Sequence, residues 1–410
     1  MTPPLYIAFR FLGHRKRAFF LSLGGVVFGV AIFICTQAQT QGFAKNFIDS
    51  TLGSNGALVM RARIQSLEGA AVLPPLPVHP PHRRLFEGID NATEIMRVSR
   101  QFSNVVACSA VLRGTLSAQA GFQNATVDLF GIDLARHLQT TNLAQQIETG
   151  SLDDFRNNPN SLIVGSRLAA ALQVEAGESV QLLSPDGAYR RFVVAATARS
   201  GVGVVDSVRI YSHAKVAQSL LKKPYTTSLI IYKLRDPDRA PALARHFETL
   251  FNHETESWQE REEANLQLFL TIRLSAAITV SLIILLAGFG IFNVLTMTVL
   301  SKVKEIAILR SIGYRRDDIS AIFLWQGAMI AGAGSLVGCG AGALLTLVVA
   351  HIPIRVRGLI YANHFLVTWD WRHYLWATIL AVIAVAIASY VPARRAGLLS
   401  PVATLRGTGG

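Results

Sequence analysis

Charged residues are scarce in this sequence. Of its 410 residues only 16% are Asp, Glu, Lys or Arg, whereas soluble domains carry about a quarter. Apolar residues make up 51% of the chain, and the mean hydropathy is +0.36. This shortage excludes an ordinary soluble protein over the whole length and indicates that a lipid bilayer is part of the solvent.

Acidic residues are also few relative to basic ones, which leaves a net charge of +13. A nucleic-acid-binding protein would carry such an excess on one folded face. Between Thr40 and Gln267, however, 23 basic residues stand against 22 acidic ones, so a charge of +12 lies beside or within apolar segments. That distribution is typical of membrane topology, and we predict no nucleic-acid partner.

Cysteine is rare as well. Cys35 and Cys339 fall within apolar segments, so only Cys108 remains in the large polar region, where no internal disulfide can form. No cysteine or histidine spacing matches a zinc site. His79 and His82, in a Pro-rich loop, lack acidic or cysteine neighbours. We therefore predict no metal site.

Catalytic motifs are missing from the polar region. It contains no nucleophile elbow, no paired-histidine zinc motif and no Gly-rich turn that opens a helix. The whole chain has no Gly-Lys dipeptide, which a phosphate-binding Walker loop requires. We therefore predict no catalytic residue and no cofactor in this chain, which by itself is not an enzyme.

Long apolar runs are what the sequence does contain. There are four, each near or above the roughly 20 residues that cross a bilayer as a helix. They predict an α-helical membrane protein with four transmembrane helices and a large α+β extracytoplasmic (periplasmic) domain between helices 1 and 2. The predicted segments are 1–17 (cytoplasmic), 18–39 (transmembrane helix 1), 40–267 (periplasmic domain, two subdomains), 268–300 (helix 2 with an outer stalk), 301–320 (cytoplasmic coupling-helix loop), 321–350 (helix 3), 351–373 (periplasmic loop), 374–391 (helix 4) and 392–410 (cytoplasmic tail).

The first apolar run has a second interpretation. Basic residues followed by an apolar stretch also describe a signal peptide, and Thr36-Gln37-Ala38 is an acceptable cleavage site. The run is longer than the apolar core of about 7–15 residues that signal peptides have. Without it the large domain would lack a matching topology. We favour an uncleaved helix.

Basic residues flank the apolar runs on one side. By the positive-inside rule this side is cytoplasmic, which places both termini inside and the 40–267 region outside a bacterial inner membrane. Trp369, Trp371, Tyr374 and Trp376 fit an outer aromatic belt. The flanking residues are Arg10, Arg15, Lys16, Arg17, Lys302, Lys304, Arg310, Arg315, Arg316, Arg394, Arg395 and Arg406.

The outer region mixes strand and helix patterns. The β-rich runs 179–183 and 191–195 surround Ser184-Pro185-Asp186-Gly187, which predicts a hairpin. Residues 240–251 have a helical pattern after a Pro-containing turn. The polar stretch 260–267 favours a helix that continues into the second span. It is either a stalk linking the outer domain to the membrane helices or a membrane-flanking helix with solvated charges.

Small residues recur at intervals of four within the spans. Glycines at this spacing allow close helix packing, either inside the chain's own bundle or against a second membrane subunit. Asn293 is the notable polar residue of the second span, and it favours an interhelical hydrogen bond over a transport site. No span has a central acidic residue, which argues against proton or sodium coupling. The glycines are Gly25, Gly29, Gly334, Gly338 and Gly342.

The connector between the second and third spans carries a helical apolar stripe. Ser301 can cap the start of this helix and Gly313 can end it. An apolar face on a short helix beneath the membrane suits docking into another protein's groove. The alternative is a helix that lies on the lipid surface. The stripe consists of Val303, Ile306, Leu309 and, on a flanking position, Ile312.

This connector, Glu305-Ile306-Ala307-Ile308-Leu309-Arg310-Ser311-Ile312-Gly313, resembles an element of a family of ABC permeases. The family includes the MacB macrolide exporter, the LolC/LolE lipoprotein-releasing permeases and FtsX. Similar elements occur in the same order over nearly the whole chain, and Trp258-Gln259 is similar to the lead-in to the second span in the lipoprotein-releasing members. The others are Gln41-Gly42-Phe43 with Leu52-Gly53, residues 163–169 with 177–180, and residues 392–396 with 401–406.

The resemblance implies mechanotransmission. Such permeases pair with a second copy or a paralogue and with cytoplasmic ABC ATPase subunits, which bind ATP and Mg; the missing Walker loop places the ATPase on a separate chain. Membrane lipid and a periplasmic adaptor or carrier are further expected partners. The residues that the resemblance assigns to ATPase coupling are Glu305, Ile306, Leu309, Arg310 and Gly313.

The predicted function is therefore that of a permease subunit that extracts or exports lipid-linked or amphiphilic cargo, such as lipoproteins, glycolipids or small amphiphiles. The alternative is an FtsX-like signalling subunit that activates a periplasmic cell-wall hydrolase. The lipoprotein-releasing subunit that recruits a carrier has a hook-like loop between two strands. This chain has only the short turn 184–189 at the matching place, so the resemblance does not imply recruitment through that loop.

Overall fold

The computed structural model describes residues 16–62, 88–357 and 361–398, which form two compact units. The described part of the helical unit comprises residues 16–44, 267–354 and 364–398, and that of the sheet unit comprises residues 45–62, 88–266, 355–357 and 361–363. The Pro-rich loop with His79 and His82, the segment before Lys16 and the tail after Leu398 lie outside the described residues.

Within the described residues, four helices are long and apolar enough to cross a membrane. They are α1 (Lys16–Asn55), α11 (Glu263–Ser301), α13 (Arg316–Ala350) and α14 (Trp371–Leu398), and the short helix α12 (Val303–Ser311) joins the second to the third. α1 continues well beyond the apolar run 18–39. Phe47 is buried there, and Ile48 and Leu52 pack against an apolar cluster of the sheet unit, so the polar part keeps one apolar face.

An apolar core lies between the long helices of the helical unit. Val30 and Ile34 of α1 pack with Ile284 of α11, Ile330 of α13 and Ala381 of α14. Away from this core, α11 exposes leucine and isoleucine along most of its length. Such exposure is expected of a surface that faces lipid or another membrane helix rather than water.

The predicted glycines lie at helix contacts within the chain. A Cβ built on Gly338 would lie 2.8 Å from Val30 Cβ, and one on Gly334 would lie 2.8 Å from Val26 Cγ1. The corresponding distances are 3.0 Å from Gly342 to Ile34 Cδ1, 2.9 Å from Gly29 to Ile284 Cγ1 and 3.3 Å from Gly25 to Ala287 Cβ. α13 and α11 thus approach α1 closely at glycines, which have no side chain to keep the helices apart. An additional role at a subunit interface stays a prediction.

The sheet unit is built on ten paired strands. Their order is β10-β1-β9-β2-β3-β8-β5-β7-β4, and β6 pairs with both β2 and β7. Six of them, β2, β3, β8, β5, β7 and β6, form a closed cycle of pairings. The strands are β1 (Leu58–Arg61), β2 (Val105–Ala120), β3 (Gln123–Ile132), β4 (Ile147–Gly150), β5 (Ser161–Gly165), β6 (Ser179–Leu183), β7 (Tyr189–Ala198), β8 (Arg209–His213), β9 (Leu229–Leu234) and β10 (Glu254–Ser257).

The predicted hairpin is confirmed as the antiparallel pair β6–β7. Its turn places Gly187 at φ +81°, and the Gly187 N–H donates to Ser184 O at 2.9 Å. A positive φ is a conformation that glycine adopts without the steric cost of a Cβ. The turn is short because β7 begins at Tyr189, two residues before the predicted β-rich run 191–195.

Short helices cover the sheet and close three apolar cores. The predicted helix 240–251 is confirmed as α9 with the same bounds. The helices are α2 (Ala92–Ser99), α3 (Leu134–Thr140), α4 (Leu143–Gln146), α5 (Leu152–Asn157), α6 (Ser166–Leu172), α7 (Gly203–Val208), α8 (Ala214–Leu221), α9 (Ala240–Phe251) and α10 (Trp258–Arg261); a 3-10 turn spans Pro237–Arg239, and β11 (Pro353–Arg357) pairs with β12 (Tyr361–His364).

We predict that Gly338→Ala destabilises the helical unit, whereas Gly340→Ala on the same helix does not. A Cβ at Gly338 meets Val30, but at Gly340 nothing lies within 4 Å. Overpacking costs about 1–3 kcal/mol, while replacing a helical glycine by alanine gains about 1 kcal/mol where space allows. Thermal unfolding of the purified chain in mild detergent measures both. Equal melting temperatures for the two variants would contradict this packing.

Candidate functional site: the connector helix

The connector helix α12 begins at Val303, after a break in the long helix α11. Lys302 occupies the N-cap without a side-chain hydrogen bond to the backbone. Its Nζ donates to Glu305 Oε1, and this carboxylate lies in the first turn, where the helix dipole favours negative charge. The prediction that Ser301 caps the helix was wrong. Ser301 is the last residue of α11, and its hydroxyl donates back to Thr298 O at 3.0 Å.

The end of α12 is fixed by Gly313, as its sequence position predicts. Gly313 has φ +113°, a backbone region that side chains other than glycine rarely adopt. The Tyr314 N–H donates to Leu309 O and the Gly313 N–H to Arg310 O, both at 3.2 Å. These two bonds form a Schellman motif, in which Tyr314 and Leu309 share an apolar cluster. The chain therefore turns sharply out of α12.

One face of α12 is buried in the chain's own core. Ile306 is 1% exposed, and Ala307 beside it is also buried. Ile306 shares an apolar cluster with Phe323 of α13 and Ala393 of α14, while Leu309 is partly buried against the same cluster. The stripe predicted from the sequence is thus divided. Ile306 and Leu309 hold α12 on the helical unit and do not form one open face with Ile312.

The opposite face carries two exposed isoleucines. Ile308 is 51% exposed and Ile312 is 72% exposed. Together with the exposed Glu305 they are spaced three and four residues apart, so the three side chains lie on one face. Sequence reasoning missed Ile308 because the run Ile306–Leu309 has apolar residues on both sides of the helix. The i, i+4 pair of Ile308 and Ile312 was the available signal.

Arg310 points to another part of the chain. Its Nη1 donates to Gly397 O, in the last turn of α14, at 3.4 Å. Cationic donors near a helix C-terminus satisfy carbonyls that have no partner within the helix. Arg310 therefore joins the connector to α14, while Glu305 remains on the exposed face.

The other predicted features of the site have separate positions. Asn293 is exposed on α11, and within the described residues it forms no hydrogen bond to another helix. Trp369, Trp371 and Trp376 are exposed at the start of α14, whereas Tyr374 packs partly against the core. The described residues hold no group of three or more side chains suited to a metal ion.

Two family models match this chain. The MacB-like periplasmic core domain matches residues 19–250, which is more than half of the chain. The FtsX-like permease C-terminal matches residues 277–401, which include the connector helix.

The chain is also similar to transporter proteins over nearly its whole length. It is 24% identical to the lipoprotein-releasing system transmembrane protein LolC of Neisseria meningitidis, over 98% of both chains. It is 22% identical to LolE of Haemophilus influenzae, over 99% of both chains. The solved periplasmic region of MacB from Actinobacillus actinomycetemcomitans aligns with 53% of this chain and 96% of its own, at 12% identity and a TM-score of 0.34.

The two family models and the LolC and LolE relatives confirm the predicted resemblance, and the family models confirm the fold class. The large domain lies between the first and second of four candidate membrane-spanning helices, and its family model is a periplasmic one. Together with the LolC and LolE relatives, the four helices indicate a multi-pass inner-membrane protein. The chain belongs to the family of transmembrane ABC-transporter permeases that join a MacB-like periplasmic core domain to an FtsX-like permease C-terminal domain.

Proposed function

We propose that this chain is the permease subunit of an ABC exporter that uses mechanotransmission to extract or export lipid-linked or amphiphilic cargo. The observation that carries the proposal is the two-sided connector helix α12. Its buried face, with Ile306, is part of the core of the helical unit, and its exposed face presents Ile308 and Ile312. A force applied to the exposed face therefore acts on packed helices.

The exposed face of α12 fits a protein groove. Two isoleucines one turn apart are the type of anchor that a short amphipathic helix inserts into an apolar groove. Glu305 lies on the same face and is half exposed, with 48% of its side chain accessible. A carboxylate there is unfavourable against anionic lipid headgroups, so it favours a protein over a membrane surface. The proposed occupant is a cytoplasmic ABC ATPase subunit, a separate chain that binds ATP and Mg²⁺.

The proposal gives different tasks to four residues of the connector, which are Glu305, Leu309, Arg310 and Gly313. Glu305 contacts the ATPase together with the two isoleucines. Leu309 and Ile306 anchor α12 to the core, Arg310 links it to α14, and Gly313 sets the angle at which the chain leaves the helix. Movement of the ATPase would thus reach α13 and α14 through packing, and α11 through the direct connection at Lys302.

The cargo class is proposed from the relatives. LolC and LolE are named as transmembrane proteins of a lipoprotein-releasing system. Lipoproteins, glycolipids and small amphiphiles share an acyl or apolar part that resides in the membrane and a head that does not. We propose cargo of this class, taken from the inner membrane or periplasm, with both termini cytoplasmic and with a second permease copy or paralogue in the complex.

The first test is mass spectrometry of the chains that co-purify with this protein from native membranes in mild detergent. We expect an ABC ATPase in stoichiometric amount. A periplasmic adaptor or a lipoprotein carrier as a third chain would support export, whereas a cell-wall hydrolase would support the FtsX-like signalling alternative. If several gentle detergents recover no ATPase, the proposal is wrong.

We predict that Ile308→Glu combined with Ile312→Glu weakens ATPase association by about tenfold or more. Interface anchors of this kind contribute roughly 2 kcal/mol or more, and a charge at their centre is left without a partner. Co-purification yield and ATPase activity of the recovered complex measure the effect. Val106→Glu is the control, because Val106 is an apolar residue that is 54% exposed in the sheet unit and the change also introduces a glutamate.

We expect Glu305→Ala and Leu309→Ala to insert into the membrane normally but to separate ATP hydrolysis from cargo release. Glu305 loses its contact to the ATPase, and Leu309 loses packing that fixes α12 on the core. Hydrolysis by the complex and release of cargo from membrane vesicles are measured together. Unchanged coupling in both variants would remove α12 from the mechanism.

A further inference from the structure

Two arginines, the buried Arg209 and the partly buried Arg261, bond to the end of the first long helix. Arg261 Nη2 donates to Gly56 O at 3.0 Å, and Arg209 Nη1 donates to Asn55 Oδ1 at 2.8 Å. Asn55 is the last residue of α1, and Gly56 ends it with φ +68° and an N–H bond to Leu52 O. Carbonyl groups at a helix end have no partner within the helix and carry partial negative charge, so cationic donors suit this position.

The backbone at the same place joins α1 to the start of the second long helix. β1 begins two residues after Gly56, and it pairs antiparallel with β10, which leads directly into α10. The Trp258 N–H donates to Ala57 O at 2.9 Å. The chain that leaves the first helix and the chain that enters the second are therefore hydrogen-bonded neighbours in one sheet.

α10 is held firmly at its own start. Ser257 and Glu260 form a capping box, in which each side chain bonds to the backbone N–H of the other residue. The Trp258 indole N–H donates to Pro237 O at 3.0 Å. Arg261 is the last residue of α10, so its bond to Gly56 ties the end of this short helix to the end of α1.

The helix changes direction directly after Arg261. Glu262 has φ −106° and ψ 17°, and it separates α10 from α11. The Glu262 N–H still donates to Trp258 O and the Leu266 N–H to Glu262 O, both at 2.9 Å. Hydrogen bonds therefore continue across the bend, and Arg261 lies on the sheet side of it.

Removing a charged guanidinium from water at this position costs free energy, so stability alone does not explain why an arginine is there. Burial lowers the pKa of Arg261 to about 10, which leaves the group charged at neutral pH. Well-packed apolar residues often stabilise a buried site as well as or better than an ion does. A charged donor instead gives a directional bond to one carbonyl group, which fixes the relative position of the two segments.

We propose that Arg261 is a positioning residue that fixes the outer end of α1 to the start of the α10–α11 helix, so that the two segments move as one joint with the sheet. Arg209 supports the joint from β8 through Asn55. The mechanical use of the joint rests on the proposed function, because it would pass helix movement to the sheet unit. The joint itself exists or fails independently of any ATPase.

Hydrogen exchange of the full chain tests the joint without reference to transport. In Arg261→Met we expect the amides of Gly56, Ala57 and Trp258 to exchange about tenfold faster or more, the loss corresponding to one hydrogen bond to a charged group. Arg261→Lys retains a donor and should stay near the wild-type rate. Arg245→Met is the matched control, since Arg245 is exposed on α9 in the same unit.

Spin labels at Asp49 and Ala264, both exposed, measure the same joint as a distance. One narrow distance is expected for the wild type and Arg261→Lys, and a broad distribution for Arg261→Met. If Arg261→Met is not recovered from membranes, Asn55→Ala provides the test, because it removes only the Arg209 bond and should raise exchange at Gly56. Wild-type exchange and distances in the recovered variants would overturn the joint.

Measurements on the complex with its ATPase distinguish a failure of the joint from a failure of the proposed function. With an ATPase in the complex, Arg261→Met should keep ATPase association and hydrolysis, but it should lose at least tenfold in cargo release. Loss of association would instead implicate folding of the helical unit and count against a local joint. If no ATPase is found, the exchange and distance results still decide whether Arg261 positions the two segments.

Discussion

The backbone groups at helix ends are the constraint on which this structure depends. Within a bilayer a helix satisfies its own hydrogen bonds, but at each end up to four N–H or carbonyl groups need other partners. This chain meets that need differently at each place. Gly56 and two arginines complete the end of α1, Ser257 and Glu260 complete the start of α10, and Gly313 completes the end of α12. The structure around these ends includes every position for which we propose a function.

Apolar run length was enough to predict the four long helices, because about 20 such residues can satisfy their backbone in lipid only as a helix. It could not predict how far each continues. α1 extends to Asn55, and Ile48 and Leu52 in its polar stretch pack against an apolar cluster of the sheet unit, a contact that run length does not reveal. The strand order was likewise beyond the sequence, since β1 lies between β9 and β10, far along the chain. Only the local hairpin and α9 had turn residues that fixed them.

The connector shows the same limit at a smaller scale. A run of apolar residues from Ile306 to Leu309 surrounds the helix, so periodicity alone does not tell which residue faces the core. The tertiary contact decides it: Ile306 meets Phe323 and Ala393, which leaves Ile308 outside. The Schellman turn at Gly313 was predictable because positive φ is a backbone property with a residue preference of its own. Residues fixed by backbone geometry were thus easier to predict than residues fixed by packing.

The functions that we propose for the connector and for the outer joint make opposite mechanical demands. In the proposed mechanism a face of α12 accepts a partner and passes its displacement on, and exposed isoleucines there lie over a tightly packed apolar base. At Gly56 two segments must keep one relative position, and apolar packing is poorly suited to this because it is non-directional and permits sliding. A buried guanidinium bonded to one carbonyl oxygen restricts both distance and angle. In this proposal a desolvated cation lies where direction matters, and apolar contacts lie where area is sufficient.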